Sequence, residues 1–460
     1  MSNDYRTEKD SMGEIKVPEK ALYAAQTQRA VDNFSISGLT LPTQMIQAIA
    51  MVKASAANAN ANIGQLKTEQ ADAIIKAAKE IIHGQHLEHF PVDVFQTGSG
   101  TSSNMNMNEV IANLAKQQGV EIPPNDHVNQ SQSSNDVIPT AIQISSVLSV
   151  EKQLQPALKK LIDTIHSKAI ELRDVVKTGR THLMDAMPMT MAQELEAWAG
   201  QLEVTSEQLP QLLERSRIVP QGGTAIGTGI NAPKAFAAKF ADALSELSGT
   251  EFKSSQNSFT SIAGQELNLQ LSAQLNTLAT TLLKISNDLR WMNSGPLAGL
   301  GEIQLTALQP GSSIMPGKVN PVIPEAVAMV AAQVNGNHTT ITTAAQQGNF
   351  QLNVMLPVIG YNLLQSIELL SNGCHALATK AIADFQVNQE QLQQALSKNP
   401  VLVTALNPVI GYNKAAEIAK KAYQDGRAII DVADEMTDLG RERLEQLLDP
   451  KKLTEGGVNQ

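Results

Sequence analysis

Large rings and thiols are both scarce in this chain: aromatic residues make up 3% of it, and cysteine occurs once, at Cys374. With so few aromatics the core must be built from Leu, Ile, Val, Ala and Met, which suits helices that approach one another closely. A lone thiol excludes an intrachain disulfide and a cysteine-rich zinc site, and it fits a reducing compartment. No segment approaches the run of about 20 apolar residues that spans a bilayer, and no apolar stretch follows the first six residues as in a secretory signal. Cytoplasmic residence is the expectation. Positive charge is also short, with 35 Lys and Arg against 45 Asp and Glu for a formal net charge of −10. That balance argues against nucleic acid or an anionic membrane as partner, so an anionic ligand has to be captured by a local pocket.

Helix-forming material is abundant. Hydrophobic residues are 42% and charged residues 17% of 460, more chain than one ordinary core holds. Apolar positions recur at helical spacing and alternating β-branched runs are rare, which predicts an all-α protein. Composition and helix length divide it into an N-terminal helical domain (residues 1–132), a central long-helix bundle (133–389) and a small C-terminal helical domain (390–460). The first long helix is expected from Pro139 to about Thr178, capped by Ser134, Asn135 or Asp136 and stopped by Gly179. Thr190 and Gln193 have capping-box spacing and should open a second, reaching about Ile218. A third is expected from about Gln256 to Asn293, with a stripe of Leu267, Leu271, Leu275, Leu278, Leu282, Ile285 and Leu289. Another follows Pro324 toward Gln333, and a last one follows Leu352 with a kink at Pro357.

The most informative segment is Gly311-Ser312-Ser313-Ile314-Met315-Pro316-Gly317-Lys318-Val319-Asn320-Pro321. It sets hydroxyls, a cation and an amide on one loop, with Pro316-Gly317 suited to a tight turn. Such a loop is equipped to hold a carboxylate beside a base. Three further clusters supply neutral donors. Thr97 to Asn106, including Ser99, Gly100 and Thr101, is a glycine-hydroxyl turn entering a helix, where free N–H groups attract an anion. Ser131 to Asp136 repeats that arrangement at the head of the first long helix. Gly179-Arg180-Thr181-His182 follows that helix and adds an imidazole. Each cluster alone could be a simple cap; together with the loop they describe a dicarboxylate site.

Helix length constrains how these clusters can meet. A rod of about 40 residues spans roughly 60 Å, which separates Asn135 from His182 within one subunit. If both serve one site, protomers must assemble head to tail, so a homo-oligomer with composite active sites is expected.

On these residues the chain resembles the class II fumarases (fumarate hydratases) of the aspartase/fumarase superfamily, almost end to end from Asp10-Ser11-Met12-Gly13. Ser312 to Asn320 matches the superfamily signature, and Gly179-Arg180-Thr181-His182 is the discriminating motif, since aspartases place glutamine at His182. The resemblance implies a homotetramer with each site built from three subunits, and reversible hydration of fumarate to L-malate with neither metal nor organic cofactor. It implies Ser312 as the base at carbon, with Lys318 and Asn320 stabilising an aci-carboxylate intermediate. His182, oriented by Glu325, would handle water on the opposite face, where an imidazole that titrates close to neutral pH suits both directions. Ser99, Gly100, Thr101, Ser133, Ser134, Asn135, Thr181, Ser313, Lys318, Val319 and Asn320 would bind the substrate.

Two departures stand out. Where class II fumarases form a second dicarboxylate site with His-Pro-Asn-Asp, this chain has Pro123-Pro124-Asn125-Asp126, without the histidine. Val322 replaces a frequent threonine, as in aspartases. The nearest rival activity is therefore aspartate ammonia-lyase, and the rival outside enzymes is a non-catalytic helical assembly protein. Two other signals are set aside: His83, His86 and His89 are close in sequence but are interrupted by Gly84 and followed by Pro91, without a carboxylate set to complete a metal site. Gly227-Thr228-Gly229-Ile230-Asn231-Ala232 fits a dinucleotide pattern without the surrounding βαβ unit.

Overall fold

The computed structural model describes residues 4–457 and is overwhelmingly helical. In chain order it opens with a hairpin of β1 (Tyr5–Asp10) and β2 (Gly13–Pro18), followed by α1 (Ala25–Asn33), α2 (Thr43–Asn62), α3 (Thr68–Ile82) and α4 (Thr101–Gln117). The first long rod is α5 (Ser134–Ser149) and α6 (Gln155–Glu171), joined without a break by a π turn at Val150–Leu154. A second hairpin, β3 (Val176–Thr181) and β4 (Met184–Thr190), leads into α7 (Met191–Ser216), α8 (Phe236–Ser248), α9 (Ser258–Ala263) and α10 (Glu266–Met292). Then come α11 (Val322–Ala345), α12 (Leu356–Leu377), α13 (Gln389–Lys398), α14 (Asn407–Ile410), α15 (Tyr412–Asp425), α16 (Ile429–Met436), α17 (Arg441–Leu447) and α18 (Pro450–Leu453). Among the described residues, no helix is long and apolar enough to cross a membrane.

Two compact units share the long helices. One comprises Met1–Pro156, Thr205–Ala279 and Val330–Ser371; the other Ala157–Val204, Thr280–Met329 and Asn372–Gln460. In the first, α2 packs on α3, α4, α5 and α8. Its alanine-rich stretch lets these helices approach closely, and Met45, Ile49, Val52, Ile74 and Ile138 are fully buried there. In the second, Leu161, Ile165, Trp198, Ile285 and Phe385 are fully buried, and the short C-terminal helices share a cluster of Leu402, Leu406, Ile418, Val432 and Leu444.

Several sequence expectations hold in detail. Thr190 Oγ1 accepts from Gln193 N at 3.1 Å while Gln193 Oε1 accepts from Thr190 N at 2.9 Å, a reciprocal capping box at the head of α7. The stripe on α10 is buried from Leu271 to Leu289, with Leu267 half-buried at its start.

Others are corrected. The first rod begins at Ser134 with Ser133 as its N-cap, and stops at Glu171 rather than Thr178. Beyond it, Val176 to Thr181 pairs with Met184 to Thr190, because this β-branched run finds a partner strand. Gly179 does not terminate a helix; it lies where the register shifts between Thr178 and Arg180, and a Cβ there would meet Met187 O at 2.8 Å. The helix expected from Gln256 is broken at Gly264, which takes an extended conformation between α9 and α10. Pro357 makes no kink: it is the second residue of α12, where the missing N–H has no partner to lose.

Candidate functional site

Two hydroxyl-bearing helix starts come together in the first unit. Gly100, at φ 74°, is the N-cap of α4, and a Cβ there would meet Ile138 of α5 at 2.8 Å. Ser99 and Thr101 share a hydrogen bond at 2.8 Å across that turn. Ser133 caps α5 through a box with Asp136, whose carboxylate accepts from Ser133 N at 2.9 Å. The same buried carboxylate accepts from Gly222 N at 2.9 Å and Thr224 N at 2.8 Å, and Asn135 donates to Ala225 O at 2.8 Å. The segment before the glycine-rich run at 227–232 is thus tied to the head of α5. Contrary to expectation, a minimal strand–helix–strand unit does surround that run: Ile218–Val219 precedes it, α8 follows it, and Ile218–Val219 pairs in parallel with Lys253–Ser254, although two-residue strands make no sheet of dinucleotide-binding size. Burial raises the Asp136 carboxyl to about 6 against these N–H donors.

Sequence reasoning missed the layer beneath. Lys53 is the one charged residue of α2, and it is fully buried. Its ammonium donates to Asn104 Oδ1 at 2.7 Å, Asn129 Oδ1 at 3.1 Å and Gln132 Oε1 at 3.1 Å. Asn104 Nδ2 in turn donates to Ser134 Oγ at 2.9 Å. Burial brings this ammonium down to about 7, opposed by the Asp136 carboxylate. A solitary charge in a small-residue helix was the available signal.

The second unit holds the remaining candidates. His182 and Leu183, at φ 56° and 61°, are the two central residues of the tight turn between β3 and β4. Both central residues at positive φ is the primed hairpin geometry usually met by Asn-Gly, so a histidine here is held in an unfavourable backbone conformation. Thr181 and His182 are exposed, and among the described residues the imidazole has no hydrogen-bond or ion-pair partner. The root of the hairpin is rigid: Glu302 pairs with Lys177 at 2.9 Å and Arg180 at 2.7 Å, and Lys177 also pairs with Glu194.

The loop at 311–321 is closed by its own polar groups. Gly311 N donates to Lys318 O at 2.8 Å, Lys318 Nζ to Asn320 Oδ1 at 2.7 Å, and Asn320 Nδ2 to Gly311 O at 2.7 Å. Gly317 takes the positive φ, 82°, that the turn demands. Ser312 Oγ accepts from Ile314 N at 3.2 Å and Met315 N at 3.0 Å. Ser313 and Val319 are exposed. A cavity of about 980 Å³ is lined by Lys318, Val319, Asn320 and Glu325 with Arg290 and Trp291; Ser312 and Ser313 lie outside that lining. A larger cavity, about 1190 Å³, in the first unit contains none of the candidate residues. No hydrogen bond joins Glu325 to His182 among the described residues.

Pro124 to Val128 form a single π turn on which Asn125 and Asp126 are exposed, and Pro123 precedes it. His127, four residues beyond Pro123, faces Gln70 at 3.3 Å. The histidine cluster differs from expectation, for a carboxylate does join it: ligand atoms of His86, Glu88 and His89 lie within 4.8 Å of one another, without His83. Yet Leu22 N donates to His89 Nδ1 at 3.4 Å, which places that ring's proton on Nε2, toward Glu88 at 3.5 Å. A metal would need the Nε2 lone pair, so the cluster as built is a set of histidine–carboxylate contacts.

Comparison with known proteins gives a consistent picture. Residues 13–336 match the family described as Lyase, and residues 402–455 match Fumarase C C-terminus. The chain is 58% identical over 456 residues to "Fumarate hydratase class II 2" of Pseudomonas aeruginosa, covering 99% of this chain and 100% of that protein. It is 56% identical to "Fumarate hydratase class II" of Xylella fastidiosa, covering 100% and 97%. Among solved structures it is similar to the recombinant class II fumarase from Schistosoma mansoni, with a TM-score of 0.95 at 38% identity, covering 98% and 99%.

Proposed function

The chain belongs to the class II fumarase family of the aspartase/fumarase superfamily, and from that premise we propose how its residues hydrate fumarate reversibly to L-malate. It is a lyase of the fumarate hydratase class II type. Removing the proton next to a malate carboxylate drives a second negative charge onto that carboxylate, and such an aci-carboxylate is too costly without preorganised donors. Lys318, Asn320 and the loop amides supply them. Ser312 is the base at carbon, and His182 with Glu325 handles the water on the opposite face. Ser99, Gly100, Thr101, Ser133, Ser134, Asn135, Thr181, Ser313 and Val319 fix the substrate; neutral donors suit rapid release of a small dianion. No step calls on a metal or organic cofactor.

The observation that carries this reading is the environment of Ser312 Oγ, which accepts two backbone N–H groups, at 3.2 and 3.0 Å. A serine hydroxyl is too weak an acid to act as base unless its alkoxide is stabilised, and hydrogen bonds donated to the charged form are what favour it.

The site is assembled from three subunits of a homotetramer. The exposed, unpartnered His182 and the separate Glu325 are groups that a neighbouring subunit would complete. Ultraviolet absorbance of fumarate tests the reading, with the purified protein offered L-malate and then L-aspartate. Fumarate from malate is expected. Fumarate from aspartate alone would replace the hydratase with an ammonia-lyase, and none from either would leave an assembly protein.

A further inference from the structure

The buried ammonium of Lys53 does no work in the chemistry just described, yet its contacts lead straight to a substrate-binding hydroxyl. An ammonium offers three N–H donors and no acceptor. All three are used, on Asn104 Oδ1, Asn129 Oδ1 and Gln132 Oε1. A donor-only partner fixes the polarity of each amide, because the oxygen has to face the charge and the NH₂ group has to face away. For Asn129 the NH₂ group goes to Gln132 O at 3.2 Å, and for Gln132 to Val128 O at 3.0 Å. For Asn104 it goes to Ser134 Oγ at 2.9 Å. Ser134 is thereby made an acceptor on its inner side, so its own hydroxyl hydrogen is turned outward, where a carboxylate oxygen can take it.

We propose that Lys53 is a positioning residue of the dicarboxylate site: through Asn104 it commits the Ser134 hydroxyl to donate to the substrate. This rests on the reading of Ser134 as a substrate-binding residue. Amides surround the ammonium where a carboxylate would have neutralised it, so its positive potential persists beside the first turns of α4 and α5, where an anion is expected. Among the titratable groups on neighbouring elements, Asp136 is the one acting on it. Glu109 of α4 is occupied by Ala24, Gln26 and Thr27, and His127 faces Gln70. Charged side chains of α3 and α8 are exposed, apart from half-buried Glu80, which is turned to His86.

The test uses the assembled full chain and succinate, a dicarboxylate that cannot be hydrated, as the calorimetric probe, with fumarate kinetics in parallel. Lys53→Met removes all three donors. Asn104→Asp keeps an oxygen against Lys53 but replaces the NH₂ donor with a second acceptor, which captures the Ser134 hydrogen. Both should raise the succinate Kd and the fumarate KM about tenfold or more while kcat stays within about threefold. Should Lys53→Met fail to fold, Asn104→Asp decides alone. Asn104→Asp also adds a negative charge, so it is repeated in a Ser134→Ala background, where an effect that acts through the Ser134 hydroxyl disappears; unchanged succinate binding in Asn104→Asp, or an equal loss with and without Ser134, would overturn the proposal. If the unaltered chain binds succinate with this dependence on Asn104 but hydrates nothing, the hydratase reading fails and the positioning role stands. If it binds no dicarboxylate, both fail.

Discussion

Lys177 and Glu302 pair at 2.9 Å with both side chains only 3% exposed, and the same carboxylate holds Arg180 at 2.7 Å. The strand that ends in Thr181 and His182 is therefore anchored to one buried anion. Removing one partner of a buried pair leaves an uncompensated charge, at a cost of about 3 kcal/mol. Glu302→Gln should lower the melting temperature by several degrees and reduce turnover even where the enzyme stays assembled, since the hairpin loses its fixed root. Calorimetric melting and fumarate kinetics check this. A variant that melts and turns over like the parent would show that Glu194 alone can anchor Lys177.

Gly98 is packed so tightly that a Cβ would sit 1.8 Å from Val354 O. Its own carbonyl accepts from Leu356 N at 3.0 Å, which joins the Ser99-Gly100-Thr101 turn to the head of α12. A single added methyl cannot be absorbed by a backbone carbonyl, so Gly98→Ala should cost about 2 to 3 kcal/mol. The displaced turn should also raise the fumarate KM several-fold with a smaller change in kcat. Unchanged melting and KM would mean that the α12 entry moves freely.

Burial lowers the Lys53 ammonium to about 7 from 10.5, so in the empty site it loses its charge as pH rises through about 7. A bound dianion favours the charged form and pulls that value up. Dicarboxylate affinity should therefore be greatest below about pH 7 and weaken above it by at most tenfold per unit, with proton uptake on binding in the same range. Succinate titrations from pH 6 to 9 in the His182→Asn background, where the imidazole cannot contribute, would show the slope. Lys53→Met should flatten it; a slope that survives the substitution belongs to another group.

What the sequence made legible was local. The Thr190–Gln193 box, the Gly311 to Pro321 loop and the α10 stripe each depend on residues near one another, so spacing alone was enough. The β3–β4 hairpin is not announced by the sequence, which carries the helical pattern on to Thr178 and then a break, because its turn uses His182-Leu183 where Asn-Gly would have marked it. Lys53 was overlooked because its partners lie 51 to 79 residues away, and nothing in α2 itself says which amides will meet it. Composite sites are harder still, since the rod gives a distance and not a partner.

The composite arrangement has a consequence that separate variants can expose. Ser312→Ala removes the base and His182→Asn removes the group that handles water, so each should lower turnover by at least about 10²-fold. Neither side chain is buried: Ser312 is half-buried and His182 exposed, so assembly should be unaffected by size-exclusion chromatography. If Ser312 and His182 of one site come from different subunits, mixed tetramers contain some sites with both residues intact. Dissociating and reassembling an equal mixture should then recover a measurable share of the parental rate, whereas either variant treated alone should not. Recovery that never exceeds the sum of the two inactive variants, in tetramers shown by mass to be mixed, would put both residues of each site on a single chain.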